Sequence, residues 1–261
     1  MDTQLRLLFD VHGEALDAAR ACELEVFDAA YGNSRDELDA EYGPYDDQSV
    51  FIALVDADGR AQGACRVITW GERGLKSLND LDRDPWRLDG MRSARAAGID
   101  PVTTWDIATL GVRSELGRAG VMAAASLYHG LVAAGRANGV TTMITIVDER
   151  VRTLLHSVGL STHVLPGTFP GEYLGSPKST PAYAHLAAVV DNQRRRTPDA
   201  YRMITLGVGL SGVTLPSPEG WRLRPREHVV VLPGGPSVTE PVEQPVDLRE
   251  SSGRSADPMT R

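Results

Sequence analysis

The chain reads as an α/β protein: a mixed central sheet with helices packed on both faces. Three observations predict this. Short runs of β-branched and aliphatic residues alternate with stretches whose apolar residues recur every three or four positions. Their order is strand, helix, hairpin, strand, helix, strand, helix, strand, strand, with no internal repeat. The composition, 42% hydrophobic and 24% charged over 261 residues, is that of an ordinary globular chain. One ordered domain is expected over 1–232. Residues 233–261 are rich in Pro, Ser and charge, with almost nothing apolar, and are expected to form a disordered tail.

Residues 5–9 read as the first strand and 14–31 as the first helix. On that helix Leu16, Ala19, Glu23, Phe27 and Ala30 fall at three- and four-residue steps. Glu23 has two readings. Either it is a carboxylate on the inner stripe, or the stripe is centred on Arg20, Leu24, Phe27 and Tyr31 and Glu23 lies in water; the helical period leaves both open. After the break at 32–34, residues 35–47 are polar and acidic. Residues 50–55 and 61–69 form a hairpin around the turn 56–59. Arg66 lies in the returning strand. A strand arginine is ordinarily an edge or solvent residue; the alternative is a clamp for a carboxylate, which a guanidinium fork suits. Residues 71–100 read as an irregular, polar excursion with at most one short helix, suited to act as a lid.

The focal stretch is 104–110, Thr-Trp-Asp-Ile-Ala-Thr-Leu. Its aromatic and β-branched residues favour a strand. Asp106 inside it must find a partner, face solvent or serve a site. A Gly/Arg-containing turn follows at 111–120, then a helix over 121–138. Helix-start N–H groups without partners make that turn a ready site for a phosphate or carbonyl oxygen. Residues 140–147 form the next strand. Asp148 caps a helix carrying Val151, Leu154, Leu155 and Val158. Residues 162–165 and 182–190 read as strands joined by a Pro/Gly loop, 191–199 as a charged linker, and 201–215 and 221–232 as further ordered pieces.

A net charge of −8 argues against a general nucleic-acid binder and tolerates a cationic small molecule. Two cysteines, Cys22 and Cys65, make no disulfide framework, so a reducing cytoplasm is expected. The first residues lack a basic stretch before an apolar core, and no apolar run approaches the ~20 residues of a membrane span. The histidines are scattered without ligand spacing, so no metal is expected. The glycines of 207–212 lack the strand-helix unit of a dinucleotide site, and Ser126 and Ser211 lie in no nucleophile elbow.

A set of motifs runs in order from about residue 14 to 160: Val26-Phe27; Glu41 with Tyr45-Asp46; the strand 50–55; Gly63-Ala64-Cys65-Arg66; and Trp105-Asp106-Ile107-Ala108-Thr109-Leu110. This set resembles the acyl-homoserine-lactone synthases, a branch of the GNAT acyltransferase fold. The resemblance implies roles. Phe27, Glu41, Asp46, Arg66, Trp105 and Thr109 would surround S-adenosylmethionine, the family's amino-acid substrate. Asp106 would stand at the position of the glutamate that accepts the amine proton; if S-adenosylmethionine instead cyclises without an acyl donor, Glu23 and Asp106 would be the acid/base pair or the sulfonium cage. The turn with Gly117, Arg118, Gly120 and Val121 would hold the phosphopantetheine arm of an acyl carrier protein or CoA. The departures are Thr109 and Glu23, where the family has arginines, the missing tryptophan near Asn33, Gly43 in place of an acid, and Met122 in the turn. Leu155 stands where an ordinary GNAT enzyme often has a tyrosine acid.

The leading expectation is amine acylation from a thioester, with ring closure releasing methylthioadenosine. The alternatives are acyl-donor-independent cyclisation of S-adenosylmethionine to 1-aminocyclopropane-1-carboxylate, N-acylation of another amino acid, and a non-catalytic GNAT-like domain that binds a ligand or carrier protein.

Overall fold

The computed structural model describes residues 4–117 and 119–224. Arg118, the expected boundary at 232/233 and the tail lie outside the described residues. The sheet is built from β1 (Leu5–Phe9), β2 (Ser49–Val55), β3 (Ala61–Ile68), β4 (Thr104–Val112), β5 (Thr142–Asp148), β6 (His163–Val164), β7 (Gly171–Tyr173), β8 (Ser176–His185) and β9 (Val213–Thr214). Its order is β6-β8-β5-β4-β3-β2-β1-β9, with β7 paired to β8 off that path. The β4–β5 and β1–β9 pairs are parallel, the rest antiparallel.

The helices are α1 (Glu14–Tyr31), α2 (Arg35–Tyr42), α3 (Lys76–Asn79), α4 (Gly90–Ala96), α5 (Ala119–Ala137), α6 (Glu149–Ser157), α7 (Leu186–Arg196) and α8 (Pro198–Ala200). Helix α1 ends where Gly32 takes the left-handed conformation, φ 72°, and its N–H returns to the Asp28 carbonyl. It covers one face of the sheet through Ala19 and Cys22, against Phe51, Ala53 and Ala64. Helix α5 covers the other through Ala123, Leu127, Leu131 and Ala134, against Ile52, Leu54, Cys65 and Val67. Small residues let α5 approach closely: a Cβ on Gly130 would lie 3.1 Å from Ile52. Among the described residues, no helix is long and apolar enough to cross a membrane.

Three segments differ from the sequence reading. The acidic stretch after residue 34 holds α2 and a 3-10 turn, because Ser34 and Glu37 cap it reciprocally. The excursion 71–100 holds two helices and its own apolar cluster: Leu75, Leu78, Leu81, Trp86, Ala94 and Ile99 bury against Ile144 and Leu165. The stretch 182–190 is half strand. Strand β8 begins at Ser176, and Leu186, Val189 and Gln193, spaced three and four apart, turn the remainder into α7. Most of the expected linker 191–199 is therefore helix.

Two irregularities shape the centre. Strands β4 and β5 pair only at Thr104–Asp106 with Thr142–Ile144, although both continue beyond. They separate there and leave a splay. Between β3 and β4 the register slips: Arg66 faces Thr109 and Val67 faces Ile107, so Ala108 is a bulged, unpaired residue.

Candidate functional site

The splay between β4 and β5 opens into a cavity of about 180 Å³. Strand residues Ile107–Leu110 and Thr145–Asp148 line it, with α5 contributing Tyr128, Leu131 and Val132. Leu155, Leu160, Leu186 and Val189 add further apolar surface. Hydroxyls occur around the lining, but at Tyr42, Thr109 and Tyr173 the wall connects to buried charged groups.

The bulge at Ala108 builds that wall. Asp106 opposite Ile68, Thr109 opposite Arg66 and Gly111 opposite Ala64 share the α1 face, while Trp105, Ile107 and Leu110 belong to the α5 face. Glu23 of α1 points inward and is 5% exposed, which overturns the reading that leaves it in water. Its carboxylate takes Arg66 Nε at 3.0 Å and Nη2 at 2.7 Å, and the Thr109 hydroxyl at 2.5 Å. Arg66 Nη1 donates to Asp46 at 3.1 Å, and Asp46 also pairs with Arg20 at 3.0 Å. Arg66 is therefore buried and clamps carboxylates, and the carboxylates are the protein's own; it is neither an edge nor a solvent residue. Burial pulls its pKa down, but Glu23 and Asp46 outweigh burial and raise it.

A second network centres on Lys76, which is 2% exposed. Its ammonium donates to Glu41 at 2.8 Å, Asp80 at 2.5 Å and Tyr173 at 2.9 Å. The Tyr173 hydroxyl donates in turn to Asp80 Oδ2 at 2.5 Å. Burial raises Glu41, but Lys76 and Arg83 override it and hold its carboxyl below the usual range. Burial pushes the Tyr173 phenol well above its usual value, and Tyr42 and Asp80 act in the same direction. The Tyr42 ring joins the two networks, with Arg66 and Lys76 each 5.0 Å from its centroid.

Asp106 is fully buried. One oxygen accepts the Ser77 N–H at 2.5 Å, the other the Ser77 hydroxyl at 2.7 Å. Burial raises its pKa to about 6, against the opposing pull of the two Ser77 bonds. It does not line the cavity, and neither do Glu23, Glu41, Asp46 or Arg66. Phe27 and Thr109 do. Trp105 lies on the opposite face of the sheet, stacked 6.1 Å from Phe9. Gly117 takes φ 50° in the turn before α5; Gly120 and Val121 occupy the first turn of that helix, with Val121 exposed. Sequence reasoning missed Tyr42, Lys76, Ser77, Asp80 and Tyr173. The signal for two of them was present: Lys76 and Asp80 stand four apart in a stretch whose leucines recur every three residues.

No protein-family model and no curated protein sequence matches the chain. Solved structures do. The N-acyl amino acid synthase FeeM from uncultured soil microbes superposes with a TM-score of 0.56 at 13% identity, over 73% of this chain and 94% of that one. The CoA-dependent acyl-homoserine lactone synthase BjaI, solved with SAM and isopentyl-CoA, gives 0.54 at 16% identity, over 84% and 97%. The AHL synthase LasI gives 0.52 at 14% identity, over 70% and 91%. The chain thus has the GNAT-like mixed α/β fold that these acyl-homoserine-lactone and N-acyl amino acid synthases share, the fold its ordered motifs resemble.

Proposed function

We propose that the protein is an N-acyltransferase: it takes an acyl chain from a CoA or carrier-protein thioester into the splay cavity and passes it to the amine of an amino-acid substrate. The observation that carries this reading is the cavity itself, apolar over most of its lining and backed by buried charged groups behind Tyr42, Thr109 and Tyr173. An aliphatic chain gains about 0.8 kcal/mol per buried CH₂ in such a space. The hydroxyl wall suits the end where a carbonyl and an amine react. Neighbours that share the fold include enzymes named for acylating amines, which supports the same reading.

For the amine, S-adenosylmethionine is the substrate that the motifs around Glu41, Asp46 and Arg66 favour. Its carbonyl-bound amide would form first. The substrate carboxylate would then displace methylthioadenosine at the γ-carbon and close a lactone. In this arrangement Asp106 would have to leave Ser77 before serving as a base, and Arg66 would have to share its fork with the substrate carboxylate.

A second reading has its own support. Thr109 and Glu23, both departures from the family pattern, are bonded to each other and to Arg66. A site rebuilt at these positions is the kind of change expected if S-adenosylmethionine cyclises on its own, without an acyl donor. Mass spectrometry separates the two. Methylthioadenosine released only when an acyl thioester is present supports acyl transfer. Release without one supports direct cyclisation. N-acylation of other amino acids without methylthioadenosine narrows the activity to an N-acyl amino acid synthase. No turnover of any of these substrates defeats the proposal.

A further inference from the structure

Three of the carboxylates behind the polar wall are buried, and they differ in what already holds them. Both oxygens of Asp106 are bonded to Ser77. Both oxygens of Glu23 are gripped by Arg66. Asp80, 1% exposed, receives Lys76 and Tyr173 on Oδ2 alone, and its Oδ1 is buried without a hydrogen bond. Arg83, whose side chain is largely exposed, lies 3.5 Å from Oδ1. A buried carboxylate oxygen left without a hydrogen bond is uncommon and calls for an account. Tyr173 lines the cavity, and its hydroxyl already donates to Asp80 while accepting from Lys76. A phenolic oxygen retains capacity to accept one more proton donor.

We infer that Tyr173, backed by Asp80 and Lys76, is the acid–base group of the cavity. This rests on the acyl-transfer reading above. As the substrate amine attacks the thioester carbonyl, the N–C bond forms and the nitrogen becomes positively charged. Its proton moves to Tyr173 Oη while the tyrosine's own proton moves to Asp80 Oδ2. The C–S bond then breaks and the thiolate leaves with the electron pair. The same path run backwards returns the proton to sulfur, so the relay ends as it began. Lys76 holds the two oxygens within one hydrogen bond of each other throughout and steadies the charge on Asp80. The free Oδ1, beside exposed Arg83, gives the acid a route to exchange its proton with solvent.

The test uses the full chain with S-adenosylmethionine and hexanoyl-CoA, and compares Tyr173→Phe, Asp80→Asn and the double variant. Removing a positioned acid–base group costs about a hundredfold or more. Each single variant should lose that much in kcat with both KM values within about twofold, and the double should lose no more than either single, because the pair acts as a unit. A Tyr173→Phe enzyme with unchanged kcat overturns the relay, as do losses that multiply in the double variant. A measurement without mutation guards against misfolding: single-turnover rates of the unaltered protein in H₂O/D₂O mixtures. Two protons moving together give a bowed dependence on deuterium fraction; a straight line overturns the relay. An unaltered protein that transfers no acyl group to any amine defeats the acyl-transfer reading, and the relay with it. An active protein indifferent to Tyr173 defeats the relay alone.

Discussion

Arg66 grips Glu23 with two arms of its guanidinium, at 3.0 and 2.7 Å, across the interface between strand β3 and helix α1. Both groups are buried. Removing one partner of such a pair leaves the other as an uncompensated charge, which costs about 3–5 kcal/mol. Glu23→Ala should therefore destabilise the fold by about that amount in urea unfolding. Asp46, half exposed, is the remaining counter-charge and sets the lower end. A loss below about 1 kcal/mol would mean that water reaches Arg66 in the variant.

Asp106 makes a prediction about pH. Its folded pKa of about 6 lies above the ordinary carboxyl value, so the native state binds its proton more tightly than the unfolded chain. A raised carboxyl penalises the fold above pH 6, and the penalty is relieved as pH falls through that value. Asp106→Asn removes this titration. Relative to that variant, the unaltered protein should gain about 1 kcal/mol of stability between pH 8 and pH 5. Unfolding curves at the two pH values check it. An identical pH response in both proteins would place the Asp106 pKa in the usual range.

Gly111 on β4 faces α1, where a Cβ would come within 2.4 Å of Val26 Cγ1. Gly111→Ala should overpack the interface and cost about 1–3 kcal/mol. Combining it with Val26→Ala should recover most of that loss, because the added methyl then occupies the vacated space. A double variant no better than Gly111→Ala alone would show that backbone strain, not the valine, opposes the side chain.

Val132 of α5 is buried and lines the cavity. If an acyl chain lies there, Val132→Phe shortens the space by several methylenes. Turnover of long-chain thioesters should fall by about tenfold or more, since each lost CH₂ contact costs about 0.8 kcal/mol. Short-chain donors should be little affected. A chain-length series of acyl-CoA substrates measures this; a uniform loss across the series would place the chain elsewhere.

Much of the fold was readable because its elements carry their own signals. The aliphatic run of β2 with its returning partner β3, the Gly-terminated α1, and the Gly-bounded α5 all fall where the sequence signals put them. The candidate site was readable in part. Glu23, Asp46, Arg66 and Thr109 do converge, but on one another, since a sequence shows which residues are charged and not which of them satisfy each other. Lys76, Asp80 and Tyr173 were hidden for a different reason. They come from a one-turn helix with its 3-10 extension and from a three-residue strand, 97 positions apart at their extremes, and only tertiary packing brings them to one ammonium. Trp105 was misplaced by its neighbour: motif adjacency to Asp106 suggests a shared site, but consecutive strand residues point to opposite faces.

The unpaired Ala108 has a larger effect than its methyl group suggests. It is the one extra count that allows positions 106 and 109, an odd number of steps apart, to look the same way. Were that residue instead to take its place in the ladder, every side chain after it would change face. The hydroxyl now at 109 would turn toward the oily side under α5, the leucine at 110 would press on the arginine, and the acidic helix residue would lose its third donor. A one-residue slip that paired Ala108 would thus invert half a strand, and the polar wall would vanish with no charged group having been mutated, whereas deleting Ala108 would leave Thr109 opposite Arg66.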